Sequence, residues 1–130
     1  MEKNLWGDLR LDELIQTTPT QILKGQAALL SDMTKGVLQA DVTVSLYNGI
    51  FTLELNIVAS AIENYRYEVV SVSHGLEMYP VTVRPQNELS AHDIVCKNAA
   101  EYEKALEKFL SSDRVRRVLS LLLAQSRAMQ

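Results

Sequence analysis

The chain has 130 residues, 47% of them hydrophobic and 22% charged, with three Pro and five Gly. That is the make-up of one globular core with no flexible linker, and it excludes disordered and fibrous classes. A net charge of −3 argues against nucleic acid as the main partner, because neutralising phosphate needs a dominant basic surface. No apolar run reaches the ~18 residues of a membrane span, and Met1 to Asp8 lacks the apolar core of a secretory signal. The lone Cys96 rules out an internal disulfide. The default expectation is therefore a soluble cytoplasmic domain with no membrane association.

Trp6, Leu9, Leu11, Leu14 and Ile15 form a short apolar stretch, expected as a turn of helix or as an arm laid against a sheet. Thr18-Pro19-Thr20-Gln21 then reads as a helix start: a hydroxyl cap, Pro where no amide partner is needed, and Gln three residues after the cap. Ile22, Leu23, Gln26, Leu29, Leu30, Met33 and Val37 follow at helical spacing, with Gly36 as the expected C-cap.

Tyr47-Asn48-Gly49-Ile50 is the signature of a two-residue type I′ hairpin. Pairing Tyr47 with Ile50 sets Leu46, Val44, Val42 and Ala40 opposite Phe51, Leu53, Leu55 and Ile57 on one face. Ser45, Thr43 and Asp41 then oppose Thr52, Glu54 and Asn56 on the other, so a slip of one residue would ruin both faces. Tyr65 to Ser73 reads as a third strand and Met78 to Val83 as a fourth. The preferred register of this second hairpin sets Tyr67 and Val69 beside Val83 and Val81, and Pro80 makes the fourth strand an edge or marks a bulge. Arg84 to Ser90 is a polar loop, and Asp93 to Cys96 adds a short fifth strand.

Asn98-Ala99-Ala100-Glu101 opens another helix, with Tyr102, Ala105, Leu106, Phe109 and Leu110 as its stripe. Continuing that phase would bury Asp113, Arg116, Arg117 and Ser120. The stripe instead restarts at Val115, Val118, Leu119 and Leu122, so Ser111 to Asp113 should end one helix and cap the next. The expectation is a single α+β domain over residues 1–130. It is a two-layer fold in which an antiparallel four- to five-strand meander is packed on one face by an N-terminal helix and two C-terminal helices.

Asp41 and Glu54 lie diagonally on the wet face of the first hairpin, where two carboxylates could share a cation. Acids on adjacent strands with a Lys two residues after the second would resemble the core of restriction-endonuclease-like nucleases, but here the run is Glu54-Leu55-Asn56, without the Lys that would orient a water. Solvated strand-face residues are the plain alternative. His74, His92 and Cys96 lack the close paired spacing of a metal site, and no cofactor motif is present.

Tyr65, Tyr79 and His74 crowd the second hairpin, and tyrosines supply large contact area at low entropic cost, which makes the three candidate binding residues. Tyr67 is expected to pack under the helices. Arg114, Arg116 and Arg117 stand at a helix start, where the macrodipole disfavours cations. Glu103, Glu107 or an anionic partner should compensate them. Leu119, Leu121, Leu122 and Leu123 cannot all face one sheet, so a second copy is a candidate cover for the excess.

The leading expectation is a non-enzymatic protein-binding or adaptor domain that self-associates, as a homodimer through the C-terminal helix, and reads another protein through the second hairpin and its edge strand. The alternative is a metal-dependent hydrolase or nuclease using Asp41 and Glu54.

Overall fold

A computed structural model describes residues 2–88 and 91–130. Leu89 and Ser90, the end of the expected polar loop, lie outside the described residues. The elements run α1 (Leu11–Leu14), α2 (Pro19–Met33), β1 (Gln39–Tyr47), β2 (Ile50–Ala59), a 3-10 turn (Ser60–Ile62), β3 (Tyr65–His74), β4 (Val81–Pro85), β5 (Ile94–Cys96), α3 (Ala99–Leu110) and α4 (Asp113–Ala128). The five strands form one antiparallel sheet in the order β1-β2-β3-β4-β5. This is the expected α+β meander with an N-terminal helix and two C-terminal helices.

The first hairpin has the register that its residues demand. Tyr47 opposes Ile50 and the pairing continues without interruption to Gln39 and Val58. Asn48 and Gly49 both have positive φ, as a type I′ turn requires. Leu53, Leu55 and Ile57 are buried beneath the helices. Between β2 and β3 the register shifts at Leu55/Asn56, leaving Val69 as the extra residue between the pairs Leu55–Val70 and Asn56–Glu68. Such a bulge lets consecutive residues reach the same side, and Val69 and Val70 are both buried.

The second hairpin departs from its expected register. Val83 pairs with Val72 and Thr82 with Ser73, while Tyr67 lies beyond the end of β4. The reason is the connection: residues 75–80 form a broad loop in which Met78 takes a positive φ and its N–H bonds to Gly75 O. A strand starting at Met78 would have carried Pro80, which has no N–H for a ladder. Ordered pairing accordingly begins at Val81. β4 is also no edge, since it pairs with β3 on one side and β5 on the other.

The helices follow their caps. Thr18 and Gln21 make a reciprocal capping box, Asn98 accepts from Glu101 N, and Ser112 accepts from Val115 N to start α4 after the expected break. In α2 the buried residues are Pro19, Leu23 and Ala27, with Ile22 and Leu30 partly covered, while Leu29 and Met33 stay exposed. The C-terminus of α2 closes one residue earlier than expected. Lys35 N–H bonds to Asp32 O and Gly36 N–H to Ser31 O, a Schellman arrangement in which Lys35 takes the first position after the cap and Gly36 the second, both at positive φ. The Thr34 hydroxyl donates to Leu30 O and accepts from Leu38 N, tying the helix end to the chain entering β1.

α2 packs over β1, α3 over β4 and β5, and α4 against the 3-10 turn and the end of β2. Tyr102 of α3 is fully buried and its hydroxyl donates to Pro19 O at 2.9 Å, joining α3 to the start of α2. The apolar N-terminal residues neither lie against the sheet nor enter the core. One turn of helix forms, and Leu5, Trp6, Leu9, Leu11, Leu14 and Ile15 all remain exposed.

Because a non-glycine residue in the left-handed region costs about 1 kcal/mol, Lys35→Gly should stabilise the domain by up to about that amount, read as a higher urea midpoint at unchanged slope.

Candidate functional site

On the helix side, α2 and the α3–α4 pair do not close on each other. Ile22, Gln26 and Met33 form one wall of an open groove and Leu106, Leu110 and Leu119 the other, with Glu103, Glu107 and Arg116 at the rim; the groove encloses about 590 Å³. Beneath it, a smaller apolar cavity of about 130 Å³ reaches the sheet at Leu55, Ile57 and Val69. The groove continues along α4 past Leu119, Leu123 and Ala124, between Arg116 and Arg127. α4 divides its leucines accordingly: Leu122 is buried, Leu119 and Leu123 are partly covered, and Leu121 is exposed. The groove thus combines an apolar floor with a charged rim of both signs.

The tyrosines and His74 do not form one surface. Tyr65 is exposed at the start of β3. Tyr79 packs against the core, edge-on to Tyr102 at 6.4 Å between ring centroids, and its enclosed hydroxyl has no hydrogen-bond partner among the described residues. Burial pushes the Tyr79 hydroxyl pKa up, with Glu103 and Cys96 adding to it. His74 is buried and stacks on Phe51 at 5.2 Å; its Nδ1 lies 2.7 Å from Gly75 O. Tyr67 behaves as expected, half-buried with its hydroxyl at the rim, where it accepts from Arg114 Nε at 3.2 Å.

The three arginines are exposed, and the two that are hydrogen-bonded, Arg114 and Arg116, use partners other than Glu103 and Glu107. Arg114 donates to Tyr67, Arg116 Nε donates to Ser111 O at 3.3 Å, and Asp113 supplies an acid in the first turn. Cys96 is buried while His92 is exposed, and burial, then Glu101, raises the thiol pKa. It sits in the core as a small apolar residue.

The other face of the sheet carries the carboxylates. Arg66 Nη2 donates to both oxygens of Asp41 at 2.8 Å, and Asn56 Nδ2 donates to Asp41 Oδ1 at 3.3 Å. Glu54 accepts from Thr43 at 3.4 Å. Asp41 is therefore engaged by a guanidinium rather than paired with Glu54 about a common centre. Glu68, which sequence reading passed over, completes this acidic strip: desolvation and then the neighbouring Glu54 raise its pKa. The alternating strand pattern placed it on this face in principle, but the bulge at Val69 shifts the alternation.

No protein-family model, curated protein or solved structure matches the chain. Among the described residues, no helix is long and apolar enough to cross a membrane.

Two outcomes test this geometry. Tyr102→Phe should cost about 1 kcal/mol through the lost bond to Pro19, whereas Tyr79→Phe, which removes an unpartnered hydroxyl, should be neutral or stabilising by the same denaturation assay. Glu68 holds its proton more tightly when folded than when unfolded, so stability falls as pH rises through the interval above the ordinary value of 4.5. Glu68→Gln should therefore raise the melting temperature at pH 7 and lose that advantage below pH 4.5.

Proposed function

We propose that this domain is a non-enzymatic protein-binding module whose docking surface is the groove between α2 and the α3–α4 pair. The observation that carries the reading is that Ile22 and Met33 of α2 face Leu106, Leu110 and Leu119 of the α3–α4 pair across an open apolar cleft instead of meeting them. Well-packed domains close such gaps. A cleft lined along α2 from Ile22 to Met33, with an apolar floor and a charged rim, suits the apolar face of a partner helix, whose side chains would enter at helical spacing. Arg116 and Glu107 would then set the orientation of the partner rather than its affinity. Tyr65 and Arg117 remain exposed for further contact at the margins.

This choice moves the binding surface from the second hairpin to the helices. β4 offers no strand edge, and Tyr79 lies against Tyr102. Nothing in the geometry favours a hydrolase, because the carboxylate expected to hold a cation is held by Arg66.

The test is Met33→Lys. Met33 is 74% exposed, so the variant should fold with an unchanged melting temperature, while a lost apolar anchor of about 1.5 kcal/mol or more lowers partner affinity roughly tenfold. Proteins co-purifying with the wild type from its native cell should be depleted with the variant. An identical set at identical yield would overturn the reading.

A further inference from the structure

We infer that two copies of the chain join through their β1 strands, antiparallel about Thr43, to make one continuous sheet. The inference specifies the self-association expected from the sequence, but places it on the sheet edge instead of on α4.

β1 is the long edge of the sheet, nine residues against three in β5 at the other edge. In a two-residue hairpin the residues flanking the turn form a hydrogen-bonded pair, and alternate residues along the strand share that orientation. Tyr47, Ser45, Thr43, Asp41 and Gln39 thus turn their backbone groups toward β2. Leu46, Val44, Val42 and Ala40 turn theirs outward, where no strand among the described residues pairs with them.

Natural edges of this length are blunted by lysine, proline, a bulge or an inward-pointing charge. β1 contains no Lys, Arg or Pro, and its pairing with β2 is uninterrupted. Its one charge, Asp41, is ion-paired with Arg66 of β3, on the strand beyond β2. The side chains near the hairpin tip are equally uncovered: Val44 is 47% and Leu46 60% exposed, although both lie on the helix-bearing face.

The occupant is identified by the strand's own sequence. With the two-fold axis at Thr43, Val42 opposes Val44 and Ala40 opposes Leu46, so all four outward-turned residues meet outward-turned residues of the other copy. On the polar face Asp41 meets Ser45 and Thr43 meets itself, so no carboxylate faces a carboxylate. Moving the axis to Val42 carries Leu46 past the start of the partner strand, and moving it to Val44 sets Ala40 against the turn residue Asn48; each loses a hydrogen-bonded pair. Odd shifts set outward-turned groups against inward-turned ones. A two-fold contact of this kind is isologous and closes on itself, so it stops at two copies.

The experiment uses the full chain. Light scattering or sedimentation should give twice the 14.6 kDa monomer mass. Val44→Pro removes an N–H that the chain's own ladder does not use, and Val44→Lys adds an edge charge; each should keep the native circular dichroism spectrum and return the monomer mass. Thr43→Cys meets its own copy at the axis, in a non-hydrogen-bonded pair with Cα atoms about 4.5 Å apart, and should form a disulfide-linked dimer in air. Ser45→Cys should not. A monomeric wild type at all concentrations, a dimer indifferent to both Val44 variants, or equal cross-linking at positions 43 and 45 would overturn the inference. Met33→Lys separates it from the groove: that variant should stay dimeric, and a dimer dissolved by Met33→Lys but not by Val44→Lys would place the contact on the helices. Monomeric Val44→Lys should still capture the groove's partner, so either reading can fail alone.

Discussion

Asn48 and Gly49 hold the left-handed conformation that closes a two-residue turn, and the rest of the domain depends on the register this imposes. Because side chains alternate with period two, the turn decides which residues of β1 and β2 meet the helices. Leu53, Leu55 and Ile57 are thereby committed to the core, and α2 can cover them only by lying along β1. The same turn commits Asp41, Thr43 and Glu54 to the face opposite the one that α2 covers. A sheet with one face committed to the helices follows from that single constraint, and the placement of α3 and α4 then follows from what α2 leaves uncovered.

The parts legible in the sequence were those where independent signals agreed. The first hairpin combined a turn dipeptide with alternation on both strands. The α3–α4 break combined a phase shift in the apolar stripe with a serine at the cap. The second hairpin had neither support: residues 75–80 carry no short-turn fingerprint, and the bulge at Val69 disrupts the alternation that would have fixed the faces. Tyr79 was misplaced for a different reason, since its surroundings are set by Tyr102, distant in sequence.

The candidate site was legible only in part. Leu106, Leu110, Leu119 and Met33 all stood on recognised helix stripes, but a stripe does not say whether the facing helix is close enough to cover it. The identity of the edge strand was legible, because in a meander the first strand must lie at one edge, whereas proline at position 80 marks the loop before β4 and not an edge. The N-terminal apolar stretch shows the limit of composition as a guide, because six large apolar side chains there contribute nothing to the core.

The cavity beneath the groove also bears on how the domain responds to compression. Its lining is almost wholly apolar, from Leu30 and Ala40 to Val69 and Val115, so water gains little by entering it. Unfolding abolishes such a void, and the folded state therefore occupies the larger volume. Hydrostatic pressure would act on this gap, where the helices meet the sheet at Leu55, Ile57 and Val69.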